Sequence, residues 1–462
     1  MTTRKARTLT AWTLCAFVAA VLPTVRGVRA TTAPPSAVAV TVRAASAVAE
    51  TVSWQTTSGA NDTVERFDDA TRRWKIVFVA PHGVRVYRDA SLASDDAPTY
   101  TYRVCRRAPV SAPLVCSTAA TARRQFDHPA NFTHLDYGLY WARCGACRAD
   151  GLSDEVKALP HEHDAYVDPS HPTIIFIHGW EPGTTVRLSR QSWLSPLPTG
   201  RRDLAAAWRA RGYNVGVFYW NQFADDDCCL IPTAVEKKVW VGEPLTYRVL
   251  DATTGTLIPV KTYPGRSSVS SLFVRAYLGA LHDVHGAEVR LAGHSLGAQL
   301  AVHATYLLSR LAASGEIAPA LVPRRVALLD PFFGGAQPYL SHGRGTADET
   351  AYEVGALRGG PSRVVFEYDS SSLLPVAGGV ASEMALTYVN TRYAGLDETE
   401  AHLAAIHWYL DSLGDPPKAA SGGSPPSAAL GDSALGRLAG TTWLQMAGQD
   451  TPDAGDDVFR RG

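Results

Sequence analysis

The second half of the chain alternates between short uninterrupted apolar runs and longer segments whose apolar residues recur three and four positions apart. Runs without polar alternation are typical of parallel strands buried on both faces of a sheet. One helical segment extends from Val269 to Val284. The alternation predicts an α/β fold for residues 166–414, a doubly wound, mostly parallel sheet with helices on both faces. The apolar runs are TIIFIH, NVGVFYW, VRLAGH, RVALLD and RVVFEYD, which start at Thr173, Asn214, Val289, Arg325 and Arg363.

The rest of the chain has other patterns. Residues 1–30 combine basic side chains, a short apolar run and a small-residue exit, the layout of a secretory signal peptide, with an uncleaved anchor as the alternative. Residues 31–52 are rich in Ala, Val, Thr and Pro, which predicts a linker or pro-region. Residues 53–165 predict an N-terminal β-rich extension of unknown role. Residues 415–462 are rich in Pro, Gly and Ser and predict a mostly disordered tail.

The net charge argues against a nucleic-acid partner, and the hydropathy argues against a transmembrane segment. The 462-residue chain has 44 Lys and Arg residues against 44 Asp and Glu residues, so its formal net charge is zero. Since no global field favours nucleic acid or an anionic surface, we predict no nucleic-acid partner. After the predicted signal peptide, no run of eighteen uncharged apolar residues follows, so we predict no transmembrane segment in the mature chain.

The cysteines and sequons fit an exported protein. Removal of the signal peptide would take Cys15 and leave six cysteines. An even number favours disulfide bonds, but six cysteines allow fifteen pairings and the sequence does not choose among them. The CGAC motif could also be a redox or half-zinc motif, although we favour structural bridging. Two sequons, at Asn61 and Asn131, are candidate N-glycosylation sites. The six cysteines are Cys105, Cys116, Cys144, Cys147, Cys228 and Cys229.

The segment VRLAGHSLGAQLAVHA, residues 289–304, joins a predicted strand to a predicted helix through GHSLG. A Gly-x-Ser-x-Gly motif at such a junction predicts a nucleophile elbow, with Ser295 as the nucleophile at the start of the helix. Gly293 and Gly297 are the elbow glycines, because a Cβ atom would clash where strand and helix pass closest. The alternative is a serine in a tight turn without chemistry.

A serine hydroxyl is a weak nucleophile, so it needs a base and a group that orients the base. Asp330 ends the strand after the elbow helix, which places its carboxylate at the active edge of the sheet; Asp369, one strand later, is the rival. His402 opens a helical segment and is the predicted base, whereas His407 lies beside the buried stripe and is expected to be packed. The order Ser, Asp, His is that of α/β hydrolases.

Attack of the serine on a carbonyl creates an oxyanion that needs hydrogen-bond donors. We predict that the backbone N–H groups of Leu296 and Trp180 form this oxyanion hole. Leu296 follows the nucleophile, and Trp180 lies in the loop after the first strand, at FIHGW. His178 and Gly179 are expected to shape that loop.

Five segments in order resemble the pancreatic-lipase-like family of α/β hydrolases, which includes secreted lipases and phospholipases A1. The resemblance covers residues 173–413 and implies a carboxylic ester hydrolase that acts on acylglycerols or phospholipids. It also favours Asp330 over Asp369, because the acid in that family follows the strand after the elbow. The matching segments are IIFIHGW, NVGVFYWN, GHSLGAQLA, ALLDP and HLAAIHWYLDSL.

The sequence departs from the family at three places. It has no segment that resembles the family's C-terminal β-sandwich, and none that resembles its cysteine-bounded lid. An insertion, residues 222–266, includes DDDCC. The aspartates at 225–227 could suggest a cation site, but a solvated loop is the favoured interpretation, and no metal site is predicted. These departures leave the lipid class and interfacial activation open.

The sequence therefore predicts a secreted serine ester hydrolase that acts on lipid esters at a lipid–water interface, through an acyl-enzyme on Ser295 and without a cofactor. The alternatives are a short-chain or polysaccharide esterase on the same scaffold, or a catalytically silent lipase-like binding protein. Apolar residues near the predicted catalytic edge are candidates for an acyl groove, although core packing explains them about as well. These candidates are Phe332, Phe333, Leu373 and Leu374.

Overall fold

The structure is a computed structural model that describes most of the chain from Ala39 to Gly462. The predicted signal peptide lies outside the described residues, and so do the asparagines of both sequons and four of the cysteines, Cys144, Cys147, Cys228 and Cys229. The described residues are 39–46, 49–55, 62–68, 73–81, 84–89, 99–106, 115–123, 132–143, 153–158, 166–197, 200–225, 233–284, 288–335, 337–340, 344–394 and 397–462.

The described residues form strands along their whole length and helices from Thr184 onward. The strands are β1 Ala39–Ser46, β2 Ala49–Gln55, β3 Asp62–Asp68, β4 Arg73–Ala80, β5 Val86–Asp89, β6 Thr99–Arg106, β7 Val115–Cys116, β8 Ala120–Arg123, β9 Gly138–Arg143, β10 Asp154–Lys157, β11 Thr173–Ile177, β12 Leu194–Leu197, β13 Gly200–Asp203, β14 Asn214–Tyr219, β15 Thr246–Tyr247, β16 Lys261–Thr262, β17 Val289–His294, β18 Arg325–Leu329, β19 Val365–Ser370, β20 Ala385–Tyr388, β21 Lys418–Ala419, β22 Thr442–Ala447 and β23 Val458–Arg461. The helices are α1 Thr184–Arg187, α2 Leu204–Ala210, α3 Asn221–Ala224, α4 Thr233–Trp240, α5 Val269–Ala280, α6 Leu296–Ala313, α7 Thr346–Gly359, α8 Gly378–Ala381, α9 Glu398–Asp411 and α10 Asp432–Gly436. Short 3₁₀ turns lie at Pro319–Leu321, Arg392–Ala394 and Ala454–Asp456.

One large sheet organises the molecule. Its strand order is β10-β9-β14-β11-β17-β18-β19-β20-β22-β23-β21. Every neighbouring pair from β14 to β22 is parallel, whereas β9, β10 and β23 run antiparallel to a neighbour. The chain passes from β11 to β14 on one side and then returns to β17 on the other side of β11. The chain therefore leaves β11 and β17 in opposite directions, and strand ends at such a switch point are where open α/β sheets commonly place their binding sites.

Helices cover both faces of this sheet. Side chains such as Ile175, Leu291 and Leu328 pack with α5, α6 and α7 on one face. Their sequence neighbours Phe176 and Ala292 pack with α2 and α9 on the other. Successive side chains of a strand point to opposite faces, so uninterrupted apolar runs can cover both. The predicted α/β class, with a large, mostly parallel sheet flanked by helices, is confirmed at this level.

The N-terminal part forms two small sheets. One has the order β1-β2-β5, and the other has the order β4-β3-β6-β7 with β8 also paired to β6. Trp54 from the first sheet and Val64 and Tyr102 from the second are buried in one shared core. A disulfide joins Cys105 to Cys116 across β6 and β7.

Two predicted boundaries in this part are wrong. Residues 39–46 and 49–52, expected in a linker, pair as β1 and β2, because their Val and Thr residues favour strands. The catalytic-domain boundary at 166 is also misplaced, because β9 and β10 belong to the large sheet. Residues 138–143 pair with β14, and residues 154–157 pair with β9.

The predicted disordered tail, residues 415–462, is a further correction. Strand β22 pairs with β20, and β23 and β21 follow it at the sheet edge. Trp443 and Phe459 are buried. These few large apolar side chains supply core contacts, which the average composition of the tail does not reveal. The guanidinium group of Arg325 donates to the carbonyl oxygens of Ser427 and Leu430, at 2.6 Å each. The tail thus folds onto the sheet.

Within the described ranges, no helix has both the length and the apolar composition that a bilayer span requires.

Candidate active site

Ser295 lies between β17 and α6 in the turn that the elbow motif predicts. Its backbone angles, φ 55° and ψ −121°, are unusual for a residue with a side chain. A Cβ atom on Gly293 would lie 2.3 Å from the carbonyl oxygen of Gly297, and one on Gly297 would lie 2.3 Å from that of Ile177. Both positions therefore require glycine, since strand and helix backbones meet there. The strain concentrated in this turn is of the kind found at functional sites.

The register of the parallel strands brings the candidate acid beside this turn. His294 pairs with Leu329, and Leu329 pairs with Asp369, so β17, β18 and β19 end at the same level. The backbone N–H of Ser295 donates to the carbonyl oxygen of Leu329 at 3.0 Å. Asp330 follows directly, with φ at 41°, and its own N–H donates to the carbonyl oxygen of Asp369 at 2.6 Å.

His402 is hydrogen-bonded to Asp330. Its Nδ1 lies 2.5 Å from Asp330 Oδ2, and its side chain is 22% exposed whereas that of Asp330 is 2% exposed. Because a carboxylate accepts, the ring proton is assigned to Nδ1, and Nε2 keeps a lone pair that can accept a proton. Helix α9 begins at Glu398, so His402 lies in its second turn rather than at its start.

His294, which sequence reasoning did not single out, lies against His402. The two ring centroids are 4.3 Å apart, and His294 Nε2 lies 3.1 Å from the carbonyl oxygen of His402. Burial, and then the charge of His402, hold the pKa of His294 well below its usual value. His294 therefore stays neutral and donates to α9. The one feature of the sequence that points to His294 is its position directly before Ser295.

The contacts around Ser295 form a nearly closed circuit. Ser295 bonds the residue before Asp330, Asp330 bonds His402, and the carbonyl of His402 bonds His294, the residue before Ser295. Ser295 Oγ makes no hydrogen bond to any described group, so the hydroxyl and His402 Nε2 are not yet joined. Catalytic hydrogen bonds are often long in substrate-free structures and shorten when substrate binds.

Asp369, the rival acid, does not bond the histidine. It is fully buried, and burial, followed by repulsion from Glu367, raises the pKa of its carboxyl well above the usual value. His402 donates to Asp330 instead. The hydrogen bond thus favours Asp330 over Asp369, as the sequence prediction does.

The two predicted oxyanion donors belong to residues close to Ser295. Leu296 is the first residue of α6, so its N–H has no acceptor within the helix. Trp180 follows Gly179, where a Cβ atom would lie 2.6 Å from Ser295 Cβ. Neither Trp180 N nor Leu296 N donates to another backbone group in the described part of the chain.

His178 holds the loop that carries Trp180. Its Nδ1–H donates to the carbonyl oxygen of Gly179 at 2.9 Å, and its Nε2 accepts from Trp220 N at 3.0 Å. The Trp220 indole N–H returns a bond of 2.8 Å to the carbonyl oxygen of His178. Burial lowers the pKa of His178 to about 3, so the ring is neutral. Its role is structural.

Two buried carboxyl groups lie behind the same loop. Glu181 accepts from Gln191 N at 3.2 Å and from the Asn221 amide, and burial raises its pKa to about 8. Asp225 accepts from the backbone N–H groups of Gly183 and Thr185. Burial also raises the pKa of Asp225.

The prediction of a solvated loop at 225–227 is therefore wrong for Asp225. It is fully buried and anchors the segment that follows Trp180. Its two acidic neighbours, Asp226 and Asp227, lie outside the described residues.

The four groove candidates differ in environment. Phe332 and Phe333 are half-buried and pack against the core beneath α5, α6 and α7. Leu374 is also half-buried, whereas Leu373 is 85% exposed. An apolar side chain so exposed has almost no core contact, so packing within the chain does not explain Leu373.

Comparisons with known proteins add little. No protein-family model matches the chain, and no curated protein matches it. Among solved structures, a β-D-glucuronidase from Dictyoglomus thermophilum is similar at 8% identity and a TM-score of 0.15 over 79% of this chain. The chain spans about half, 51%, of the length of that structure. A likeness this weak carries no argument about fold or function.

Proposed function

We propose that this protein is a secreted serine ester hydrolase with an α/β-hydrolase fold, acting on lipid esters as a triacylglycerol lipase or phospholipase A1. One observation carries the proposal. Ser295 occupies a strained turn at a helix start, and the neighbouring strand supplies Asp330, which is hydrogen-bonded to His402 at 2.5 Å. Core packing alone would not require this combination of residues at a sheet edge.

In the first half of the reaction, Ser295 Oγ attacks the acyl carbon of the ester and its proton passes to His402 Nε2. Asp330 accepts the Nδ1–H bond, which keeps the lone pair on Nε2 and stabilises the imidazolium that forms. The N–H groups of Leu296 and Trp180 donate to the oxyanion. Cleavage of the ester bond releases the alcohol, which takes the proton from His402, and leaves an acyl group on Ser295.

In the second half, water attacks the acyl carbon and gives a proton to His402 Nε2. The tetrahedral intermediate collapses, Ser295 Oγ departs with that proton, and the carboxylic acid is released. Ser295 Oγ makes no competing hydrogen bond to a described group, so it can turn toward His402.

Two further observations support the finer parts of the proposal. Leu373 is 85% exposed close to the acid, which suits contact with an apolar ester or its aggregate. The disulfide between Cys105 and Cys116 suits an oxidising compartment, as expected for a secreted chain.

A fluorophosphonate probe tests the proposal. We expect covalent labelling of Ser295, identified by mass spectrometry, with loss of labelling in Ser295→Ala and sharply weaker labelling in His402→Ala. Folded, glycosylated protein that is not labelled would favour the silent binding protein. Hydrolysis of a triacylglycerol, a phosphatidylcholine and a short acetate ester then tests the substrate class, because turnover of the acetate alone would favour the short-chain esterase.

A further inference from the structure

We propose that Ser372 is a positioning residue that holds the Asp330 carboxylate against His402, as part of a segment we call the acid strap, residues 371–374. This inference rests on the proposed function, and it assigns a role to a loop in which the sequence offered only two groove candidates. The strap follows β19, which pairs with β18, the strand that ends directly before Asp330.

Backbone amides of the strap bind one oxygen of the acid. Asp330 Oδ1 accepts from Ser371 N at 2.9 Å and from Ser372 N at 3.3 Å. Two donors on one oxygen fix the plane of a carboxylate whose side chain is 2% exposed. The orientation of the acid therefore depends on the position of the strap.

The hydroxyl of Ser372 binds the other oxygen. It donates to Asp330 Oδ2, the same atom that accepts from His402 Nδ1. Leu374 N donates to the Ser372 oxygen at 3.2 Å, which directs the hydroxyl proton toward the carboxylate. Ser372 and His402 thus share one acceptor atom.

The strap also contacts the helix that carries the base. Ser371 Oγ donates to the carbonyl oxygen of Ala401 at 2.7 Å, and Leu373 N donates to Glu398. Ala401 directly precedes His402. One short segment therefore fixes both the acid and the helix of the base, which sets their relative geometry.

Removal of the Ser372 hydroxyl has a defined electrostatic consequence. Oδ2 then interacts with His402 alone, so more negative charge faces the imidazolium and the ring holds its proton to higher pH. Neighbouring ionisable groups would not reverse this effect, because Asp330 Oδ2 is the charged atom in direct contact with the ring. Four other ionisable groups surround the pair: His294, whose pKa burial lowers, Asp369, whose carboxyl pKa burial raises, Tyr368 and Glu398.

The test is Ser372→Ala in the full chain, with kcat and KM measured against pH. We expect kcat to fall about tenfold with KM nearly unchanged, as for loss of one bond to a charged group. We also expect the acid limb of the kcat/KM profile to move up by about half a pH unit. Ser372→Thr, which keeps the hydroxyl at a half-buried position, should restore both.

Ser382→Ala is the matched control, because its exposed hydroxyl donates only to the nearby Gly379 carbonyl oxygen. A wild-type protein that lacks activity and probe labelling would mean that the proposed function fails. An active wild type in which Ser372→Ala leaves kcat and the acid limb unchanged would overturn the role of Ser372 alone. A Ser372→Ala defect that Thr does not restore, with an unmoved acid limb, would also overturn it and indicate a structural role.

Discussion

Carboxyl groups lie on both sides of Ser295, and the protein holds them in opposite ways. On one side, Asp330 accepts hydrogen bonds from two amides, a hydroxyl and an imidazole. On the other side, burial raises the pKa of Glu181 to about 8 and raises that of Asp225 as well, although both accept hydrogen bonds. Carboxyl groups therefore bind the predicted catalytic histidine on one side of Ser295, whereas on the other side they bind loop residues that support the fold.

The two sides differ because a negative charge is needed beside His402 and is not needed in the loops around Glu181 and Asp225. An acid that stabilises an imidazolium must be an anion, and a dense set of donors replaces the water it has lost. A carboxyl that only connects loops can remain protonated in a dry interior, because neutral groups cost less to bury. Each of the following predictions tests one side of this comparison.

The largest effect is expected on the acid side. Asp330→Asn should lower kcat by about 10⁴-fold, because an amide would no longer select the Nδ1–H tautomer or stabilise the imidazolium. Asp369→Asn should keep most activity, since His402 donates to Asp330 and not to Asp369. The kcat values of the two purified variants are measured by steady-state ester hydrolysis.

The opposite ranking would transfer the orienting role to Asp369. Equal losses in both variants would instead point to a general disturbance of the sheet edge, which thermal unfolding of each variant would reveal.

A smaller loss of kcat is expected from a change in the loop that carries Trp180, on the oxyanion side of Ser295. In Gly179→Ala, the added Cβ would lie 2.6 Å from Ser295 Cβ and 2.9 Å from the carbonyl oxygen of His294, so the loop or the serine must move. We expect kcat to fall by about 10²–10³-fold, comparable to loss of one oxyanion donor. Single-turnover measurement of acyl-enzyme formation detects the defect directly.

Gly378→Ala is the control, because a Cβ atom there meets no heavy atom within 4 Å. Activity near wild type in both variants would show that the loop carrying Trp180 tolerates displacement, and Trp180 would lose its predicted role.

The parts of this site that follow strand ends could be predicted from sequence. Ser295 directly follows one apolar run and Asp330 ends another, and parallel strands bring such ends to one edge. Ser372 and His294 could not be assigned, because their roles depend on the path of a loop and on the packing of two rings. The acidic neighbours of Asp225 predict a solvated loop, whereas two backbone amides bind Asp225 in the interior.

For the fold as well, only the parts with a local sequence pattern could be predicted. Uninterrupted runs predicted the central parallel strands, since burial on both faces leaves a local signal. The composition of residues 415–462, which is poor in large apolar side chains, predicts disorder. Trp443 and Phe459 nevertheless dock on an edge that already exists, and Arg290 and Arg325 bind carbonyl oxygens about 100 residues or more away. Such distant partners leave no periodicity to detect.

The smallest effect concerns stability on the oxyanion side. The pKa of Glu181 is about 8 in the folded protein against an ordinary value of 4.5, so unfolding releases its proton between these pH values. This contribution to stability is complete below about pH 4.5 and is lost as pH rises toward 8. In Glu181→Gln the side chain cannot ionise, and Asn221 Oδ1, which has no partner among the described residues, can accept from the new amide.

Chemical denaturation of both proteins at several pH values measures this contribution. Between pH 6 and 8, the free energy of unfolding of the wild type should fall by about 2 kcal/mol more than that of Glu181→Gln. Burial also raises the pKa of Asp457, to about 7, so Asp457→Asn should flatten the profile mainly below that pH. Wild type and Glu181→Gln both keep Asp457, so the difference between their profiles isolates Glu181, and the interval from pH 7 to 8 is where Asp457 contributes least. If Glu181→Gln retained the wild-type slope there, Glu181 would already be ionised at neutral pH, and the contrast between the two sides of Ser295 would not hold.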